Sequence, residues 1–265
     1  MAENLDYWHR QSINKLFNVD LLPPEQRRFA GKVLIIGGNK AAFFAVASGL
    51  DAAKRFGAGE VRALLPDSLR NKVPSTPEIY FAESEKSGGF GRAALAEMLR
   101  QAEWSDAVIL IGDSGKNAET SVAFTEFINK CQKPIFATRD AIEAITPSAT
   151  DWAMREYETG LFLTLPQLQK LLRTMYYPKV ITLSMPTNQL VETLHKFTLS
   201  YAISIATYHN GLMVMAQNGE VVTQEIKETS WTPISLWSGI LLAQAVVARI
   251  WNPETPFYQV FAAKL

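Results

Sequence analysis

The clearest alternation of apolar and polar positions lies between residues 31 and 66. Residues 33–36 form a short β-branched apolar run that predicts a buried strand, and residues 61–65 predict a second one. Between them, residues 41–56 are apolar on nearly every turn, which predicts a helix with little exposed surface. Glycine-rich turns at 37–39 and 57–59 separate these elements. The order strand, helix, strand predicts a βαβ unit in a parallel sheet.

The same rhythm continues through most of the chain. Residues 1–30 predict a helical or irregular N-terminal arm that ends at two prolines. Further strands are predicted at 79–82, 107–111, 134–137, 161–164 and 180–183. Helices are predicted at 93–102, 121–130, 140–144, 167–175 and 189–201, the last capped by Thr187 or Asn188.

The period changes after residue 202. Three short apolar runs at 203–207, 212–216 and 220–223 are separated by Asn-Gly turns, a pattern typical of antiparallel hairpins. A 17-residue apolar stretch at 234–250 contains Gln244 and Arg249 and is shorter than the roughly 20 residues of a membrane span, so it predicts a buried core helix. Residues 257–262 predict a last strand.

The pattern as a whole predicts one three-layer α/β domain at residues 31–265, following the arm at 1–30. Its central sheet is expected to be mostly parallel, with an antiparallel hairpin near 203–223.

The composition excludes some classes of protein. The chain has 26 basic and 26 acidic residues, so it has no basic field for nucleic acid. A single cysteine, Cys131, excludes an intrachain disulfide. The polar N-terminus lacks the apolar core of a signal peptide, and we expect a cytoplasmic protein without a membrane partner.

Candidate binding residues follow the predicted strands, where α/β proteins usually hold ligands. They are Gly37, Gly38, Asn39, Gly112, Ser114, Lys116, Asn117 and Asp140. Each has a structural alternative. The glycines can serve tight turns, Asp140 can cap a helix instead of orienting a substrate hydroxyl, and the Lys-Asn pair can be a solvated loop instead of an anion contact. The three histidines have no partners at metal-ligand spacing.

Several segments, in the same order along the chain, resemble a known family. They are GKVLIIGGN, RFGAGEVRALLP, DAVILIGDSGKNAET, PIFATRDAIEAI, LFLTLPQLQKLL and ISIATYHNGLMVMAQNGEVV. DAVILIGDSGKNAET resembles a strand that runs into a GPGLG loop. PIFATRDAIEAI resembles PLVLDADALN, and LFLTLPQLQKLL resembles LTPHPGE. Over roughly residues 31–251 the chain therefore resembles the ribokinase-like fold, and within it the ADP- or ATP-dependent NAD(P)H-hydrate dehydratases.

The resemblance implies a fold, an activity and a set of ligands. The expected fold is ribokinase-like, and the expected activity is a lyase reaction that dehydrates hydrated NAD(P)H with ATP or ADP and Mg²⁺. A small-molecule nucleotide is the expected partner, and a homo-oligomer the expected assembly. Asp140 falls on the second aspartate of the family's DAD segment. Asn210 and Gly211 lie in the hairpin that matches the family's Lys-Gly-Thr motif, and would contact the nucleotide.

The residues that handle phosphate and protons in the family differ here. The GTGD motif aligns with residues 231–235, which places Ser235 on the catalytic aspartate and Trp231, Thr232 and Ile234 at the glycines. Pro233, in the same segment, has no N–H group to donate to phosphate. Thr138 replaces the first aspartate of DAD. We therefore expect weak or absent turnover. Three hypotheses remain: a dehydratase, a catalytically degenerate relative that binds a nucleotide or a protein, and a small-molecule kinase of the same fold.

Overall fold

The computed structural model describes residues 6–11, 16–226 and 237–265. Within these ranges, strands form one ten-stranded sheet in the order β1-β10-β9-β8-β7-β6-β5-β2-β3-β4. The strands are β1 (Trp8–Gln11), β2 (Lys32–Gly37), β3 (Glu60–Pro66), β4 (Ile79–Ala82), β5 (Ala107–Gly112), β6 (Ile135–Thr138), β7 (Thr159–Phe162), β8 (Ile203–His209), β9 (Leu212–Gln217) and β10 (Glu220–Glu225). All pairings are parallel except those of β9 with β8 and β10.

Helices cover both faces of the sheet, which gives the three layers expected from the sequence. One face packs against α1 (Phe44–Phe56), α8 (Ile240–Trp251) and α9 (Phe257–Lys264). The other packs against α2 (Ala94–Trp104), α3 (Ala118–Lys130), α4 (Asp140–Ile145), α5 (Ala149–Trp152), α6 (Leu165–Thr174) and α7 (Thr187–Ser200).

The continuous apolar runs of the central strands follow from this double cover. In β2, Leu34 and Ile36 point into one core while Val33 and Ile35 point into the other, and all four are fully buried. A strand buried on both faces needs apolar side chains at every position, unlike a half-exposed strand that alternates. The prediction of a mostly parallel α/β sheet is thus confirmed.

The two Asn-Gly turns form the predicted hairpins. Asn210 and Gly211 have φ values of 48° and 79°, and Asn218 and Gly219 have 53° and 83°. Two successive residues with positive φ are what a type I′ turn requires, and this turn matches the twist of antiparallel strands. The antiparallel section at β8, β9 and β10 is therefore specified by local turn chemistry.

The N-terminal arm differs from the prediction. Part of it forms β1, which pairs in parallel with β10 at the edge of the sheet. The indole Nε1 of Trp8 donates to Thr223 Oγ1 at 2.9 Å, and Gln11 Nε2 donates to the carbonyl of Ala262 at 3.2 Å. These partners lie more than 200 residues away in the sequence, so local periodicity did not reveal the strand.

Three further predictions are wrong. Residues 257–262 belong to helix α9, which begins after Pro256 and packs into the core beside α8; an apolar run this short does not distinguish strand from helix. Residues 180–183 are irregular because they connect α6 to α7 outside the sheet, and the Ile181 N–H donates to Gln169 Oε1 instead. Helix α7 begins after Pro186, without a side-chain cap from Thr187 or Asn188.

The long apolar helix is buried, as predicted, over the portion that the structure describes. Leu241, Leu242, Val246 and Val247 of α8 are fully buried against the sheet. Within the described ranges, no helix combines the length and the apolar character needed to cross a bilayer.

Candidate functional site

The glycine turns after β2 and β5 lie side by side at the carboxyl edge of the sheet. The Gly38 N–H donates to the carbonyl of Gly112 at 2.8 Å, and a Cβ atom on Gly37 would clash with that same oxygen. Gly37 is therefore required because two backbones approach closely. The close approach of the two turns therefore explains why position 37 is a glycine, without any ligand.

The side chain of Asn39 holds the two turns together. Its Nδ2 donates to the carbonyl of Asp113 at 2.5 Å, while its Oδ1 accepts from Ala41 N at 2.7 Å. These bonds engage both ends of the amide. Asn39 thus lies in the predicted place and shapes the loop after β5.

Asp140 follows β6 and reaches back to the loop after β5. Its carboxylate accepts three successive peptide N–H groups: Asp113 N at 2.7 Å, Ser114 N at 2.9 Å and Gly115 N at 3.0 Å. Gly112 has a φ of 91°, and a Cβ atom there would clash with Asp140 Oδ1. The carboxylate occupies a concave array of N–H groups of the kind that binds anions.

Asp113 plays a similar part at a helix end. Its φ is 56°, and its Oδ2 accepts the N–H of Ala45 in the first turn of α1 at 2.7 Å. The carboxylate therefore caps α1 from another loop and meets the positive end of the helix dipole. Together, Asp113 and Asp140 fill two positions at this sheet edge that suit an anion.

Arg139 lies between these carboxylates. Its Nη2 donates to Asp113 Oδ1 at 2.5 Å and its Nη1 to the carbonyl of Trp237 at 3.2 Å. The ion pair is largely shielded, with 32% of the Arg139 side chain and 9% of the Asp113 side chain exposed. Gln167 Nε2 holds the Arg139 carbonyl at 2.9 Å. The guanidinium thus connects the loop after β5 to the segment that enters α8.

The backbone of Arg139 is strained. Its φ and ψ are 59° and −140°, a region that residues other than glycine rarely adopt. Such a conformation costs on the order of 1–3 kcal/mol and persists only where the surroundings enforce it. Here the enforcing contacts are the ion pair with Asp113 and the bond from Gln167.

A cleft of about 230 Å³ opens beside this cluster, lined by Gly115 and Asp140 among others. Lys116 and Lys170 contribute the cations of the lining, and Glu143 adds an opposing carboxylate. Asn117 lines the same cleft but is engaged as the cap of α3, where its Oδ1 accepts Glu119 N at 2.7 Å. Three predicted ligand contacts line this cleft, and Asn117 and Asp140 are engaged in hydrogen bonds. Among the described residues, Lys116 is the one of the three without such a partner.

Two buried hydroxyl groups near this edge have no hydrogen-bond partner among the residues that the structure describes. They are Ser114 Oγ, in the loop after β5, and Thr138 Oγ1, at the end of β6. Buried polar atoms are normally satisfied, so these two hydroxyls call for partners beyond the described residues, such as water. Neither residue lines the cleft. Ser114 was a predicted site residue, whereas Thr138 was noted only as a replaced aspartate.

The other predicted residues are separate or lie outside the described ranges. Asn210 and Gly211 form the tip of the β8–β9 hairpin, where the Asn210 amide lies 3.0 Å from His209 Nε2. That histidine is buried and bonded to the carbonyl of Met185 at 2.8 Å, a structural role. Ser235 and the rest of the segment aligned with GTGD lie outside the described residues.

The expected Mg²⁺ has no evident set of protein ligands in the part of the chain that is described. No group of three His, Cys, Asp or Glu side chains converges within these ranges. Of the two carboxylates that line the cleft, Asp140 and Glu143, the first is engaged by three peptide N–H groups. Asp113, in the loop after β5, is engaged by the Ala45 N–H and by Arg139. The described residues therefore do not by themselves form a three-ligand magnesium site.

Sequence reasoning missed the Asp113–Arg139 pair. Both residues lie in segments that resemble family motifs, Asp113 in the one matched to GPGLG and Arg139 between the two aspartate positions of DAD, but neither was singled out as a site residue. The positive φ of Arg139 cannot be predicted from residue type or hydropathy. The available signal was position alone, because both residues directly follow predicted strands that neighbour each other in the sheet.

Comparisons with known proteins agree with this fold. No family model matches the chain. A bifunctional NAD(P)H-hydrate repair enzyme Nnr from Methanothermobacter thermautotrophicus is 34% identical over 116 residues, which is 42% of this chain and 22% of that enzyme. The chain thus matches about a fifth of the length of this relative.

Solved structures extend the similarity to nearly the whole chain at low identity. A ribokinase-like superfamily protein from Enterococcus faecalis matches with a TM-score of 0.70 and 14% identity, covering 97% of this chain and 85% of that one. An ADP/ATP-dependent NAD(P)H-hydrate dehydratase from Bacillus subtilis, co-crystallised with ATP and Mg²⁺, matches with a TM-score of 0.57 and 14% identity, covering 92% and 82%.

The βαβ core, the antiparallel section after β8 and these neighbours lead to one conclusion. The chain has the ribokinase-like fold, and over part of its length it is similar in sequence to an NAD(P)H-hydrate repair enzyme.

Proposed function

We propose that this chain is a divergent NAD(P)H-hydrate dehydratase-type protein that binds a nucleotide at the carboxyl edge of its sheet and turns over hydrated NAD(P)H far more slowly than an enzyme with an intact GTGD motif. The ligand class comes from the similarity to the repair enzyme and to the dehydratase structure with ATP and Mg²⁺. The expected ligands are ATP or ADP together with hydrated NADH or NADPH.

One observation supports the expected low turnover. The chain's own carboxylates occupy the positions at the carboxyl edge of the sheet that suit an anion. Asp140 takes three peptide N–H groups and Asp113 takes the first turn of α1. A general base needs a free titratable group within reach of the proton that it removes. Ser235, on the aligned catalytic position, needs an activating base of its own.

A fully active dehydratase is the second candidate, and the 34% identity over 116 residues favours it. In that case Asp140 would carry the acid–base role from a different rotamer. The small-molecule kinase hypothesis also needs an aspartate at the position of Ser235 and therefore ranks below both. A homo-oligomer stays a prediction from the resemblance, and light scattering of the purified protein would test it.

The deciding assay follows the appearance of NADH absorbance from hydrated NADH, with purified protein, Mg²⁺ and either ATP or ADP. Loss of glycine N–H donors and of the base should reduce the rate by at least about 10²–10³, because a single transition-state donor typically contributes that much. We expect no rise above background beside an enzyme with GTGD intact.

Thermal-shift measurements with ATP, ADP, NADPH and their mixtures test binding separately from turnover. A ligand that binds only the folded state raises the melting temperature, so a nucleotide shift without turnover supports the proposal. Brisk turnover that Asp140→Ala abolishes would instead establish the active dehydratase. No shift with any nucleotide would reject nucleotide binding altogether.

A further inference from the structure

A second cleft lies at the opposite end of the strands from the glycine turns. It opens where β5, β6 and β7 begin, beside the last turn of α8, and has a volume of about 350 Å³. Small-molecule sites usually measure roughly 300–1,000 Å³, so this space is large enough for a ligand with one ring. None of the residues that line the cleft at the carboxyl edge lines this one. We call it the amino-edge cleft.

The walls of the amino-edge cleft are mostly apolar and enclose few charged groups. The apolar lining consists of Ala107, Pro134, Phe136, Ile250 and Pro253. The charged lining consists of Asp106, Glu158 and Arg249. Asp106 is exposed, and its Oδ2 already accepts the Lys32 N–H at 2.8 Å. Apolar walls around a small number of polar groups are typical of ligand sites, in which the polar groups fix the orientation of the ligand.

Arg249 has hydrogen-bond donors without acceptors. Its Nη1 donates to the carbonyl of Asn252 at 3.0 Å, which uses one of the five N–H groups of a guanidinium. Nε lies 3.1 Å from Glu158 Oε2 in an ion pair, yet its N–H has no hydrogen-bond partner among the described residues. Within the same ranges, no hydrogen bond from Nη2 is present. Because Arg249 lines the cleft, an acceptor that enters it can take the unused N–H groups.

The Glu158 carboxyl, by contrast, has donors beside both of its oxygens. Oε1 accepts from Gln217 Nε2 at 3.2 Å, and Oε2 faces Arg249. Burial raises the pKa of this carboxyl. A second carboxylate nearby would raise it further, so that Glu158 could hold a proton and donate it in a hydrogen bond instead of repelling the newcomer. The ion pair therefore lacks an acceptor and not a donor.

We propose that the amino-edge cleft binds a small carboxylic acid with an apolar body, whose carboxylate takes the unused N–H groups of Arg249 while the body lies against Phe136 and Ile250. An amine fits less well, because it would meet the guanidinium and would have to compete with it for Glu158. Asp106 is the opposing charge of the lining. The proposal concerns binding only, and it holds whether or not the chain dehydrates NAD(P)H hydrate.

The test is a titration of the purified full chain with benzoate, benzamide and benzylammonium, followed by ¹⁵N–¹H NMR. The probes share one ring and differ in the charge of the polar group. We expect benzoate to shift the amides of Ala107, Phe136 and Ile250, and to bind at least about tenfold more tightly than benzamide, because a charged acceptor forms the stronger hydrogen bonds with a guanidinium. Tighter binding of benzylammonium than of benzoate would overturn the proposal, as would benzoate shifts confined to amides elsewhere in the chain.

Arg249→Gln removes the guanidinium and should weaken benzoate binding at least about tenfold. Arg55→Gln is the matched control, since it removes the same charge from a side chain of α1 that is 80% exposed and outside the cleft. This control should bind benzoate as wild type does. Equal benzoate affinity in wild type and Arg249→Gln would contradict the role of the guanidinium.

A double variant covers the case in which Arg249→Gln does not fold, because that change leaves the Glu158 carboxyl buried without its partner. Arg249→Gln combined with Glu158→Gln removes both charges. We expect the double variant to bind benzoate and benzamide with equal affinity. If it still preferred benzoate as strongly as wild type does, Arg249 would not select the carboxylate and the proposal would be wrong.

Discussion

At the scale of single residues, the carboxyl edge of the sheet is organised by contacts between charged side chains and backbone. Asp140 accepts the N–H groups of a loop, and Asp113 caps a helix through Ala45, 68 residues earlier in the chain. Arg139, next to Asp140 in the chain, forms an ion pair with Asp113. Each of these three side chains has a structural partner, whereas Lys116, Lys170 and Glu143 supply the other charged groups of the adjoining cleft. Internal contacts thus hold the charged groups at this edge of the sheet.

The strain at Arg139 predicts different effects for two truncations. Arg139→Ala loses the ion pair with Asp113 and keeps the unfavourable φ of 59°, whereas Arg139→Gly loses the same ion pair and relieves the strain. We expect the glycine variant to be more stable than the alanine variant by about 1 kcal/mol. Chemical denaturation of both proteins measures this, and a less stable glycine variant would contradict the strain.

A second prediction separates backbone strain from steric conflict. Gly112→Ala places a Cβ atom against Asp140 Oδ1 at a φ of 91°, while Gly211→Ala meets no atom within 4 Å at a φ of 79°. The second variant should lose about 1 kcal/mol from strain alone, and the first at least about 2 kcal/mol. Equal losses in urea denaturation would mean that the Asp140 carboxylate does not occupy the space beside Gly112.

At the scale of elements, an ion pair at the opposite edge of the sheet joins α8 to the start of β7. Arg249 Nε lies 3.1 Å from Glu158 Oε2, and both side chains are mostly buried. Burial raises the pKa of the Glu158 carboxyl, and the smaller opposing effect of Arg249 does not cancel it. The charged carboxylate is thus disfavoured at a place where two elements meet.

This raised pKa predicts a pH dependence of stability. Between the ordinary carboxyl pKa and the raised one, the folded state holds the proton of Glu158 more tightly than the unfolded state. The contribution of Glu158 to the free energy of unfolding is therefore fully present below the ordinary pKa and falls as the pH rises through the raised pKa. Glu158→Gln should remove that decline, and denaturation across the acidic and neutral range should show a flatter profile than wild type. Parallel profiles would refute it.

At the scale of the whole molecule, the four-residue strand β1 forms one edge of the ten-stranded sheet. It covers β10 through the register Trp8 to Val221 and His9 to Val222, and His9 Nε2 lies 2.7 Å from Glu220 Oε2. An uncovered strand exposes N–H and C=O groups that can pair with another chain. The strand thus protects an edge that the hairpins alone would leave open.

Deleting residues 1–11 tests this role. We expect a lower melting temperature and concentration-dependent association, because β10 becomes an exposed edge. Size-exclusion chromatography and thermal denaturation measure both effects, and Trp8→Ala serves as a milder variant that removes the bond to Thr223 but keeps the strand backbone. A truncated protein with unchanged melting temperature and size would show that β1 is dispensable.

The sequence alone determined the parts of this protein whose cause is local. Val33 to Ile36 must form a doubly buried strand because no position in the run tolerates water, and Asn210-Gly211 must turn because both residues accept positive φ. The ribokinase-like fold was expected from the resemblance of several segments, in order, to a known family. Only the tertiary structure decided that residues 8–11 form a strand and that Phe257–Lys264 is a helix. It also decided that the Asp140 carboxylate accepts the N–H groups of residues 113–115, since a carboxylate binds whichever N–H groups packing brings within reach. Those donors lie more than 20 residues away along the chain.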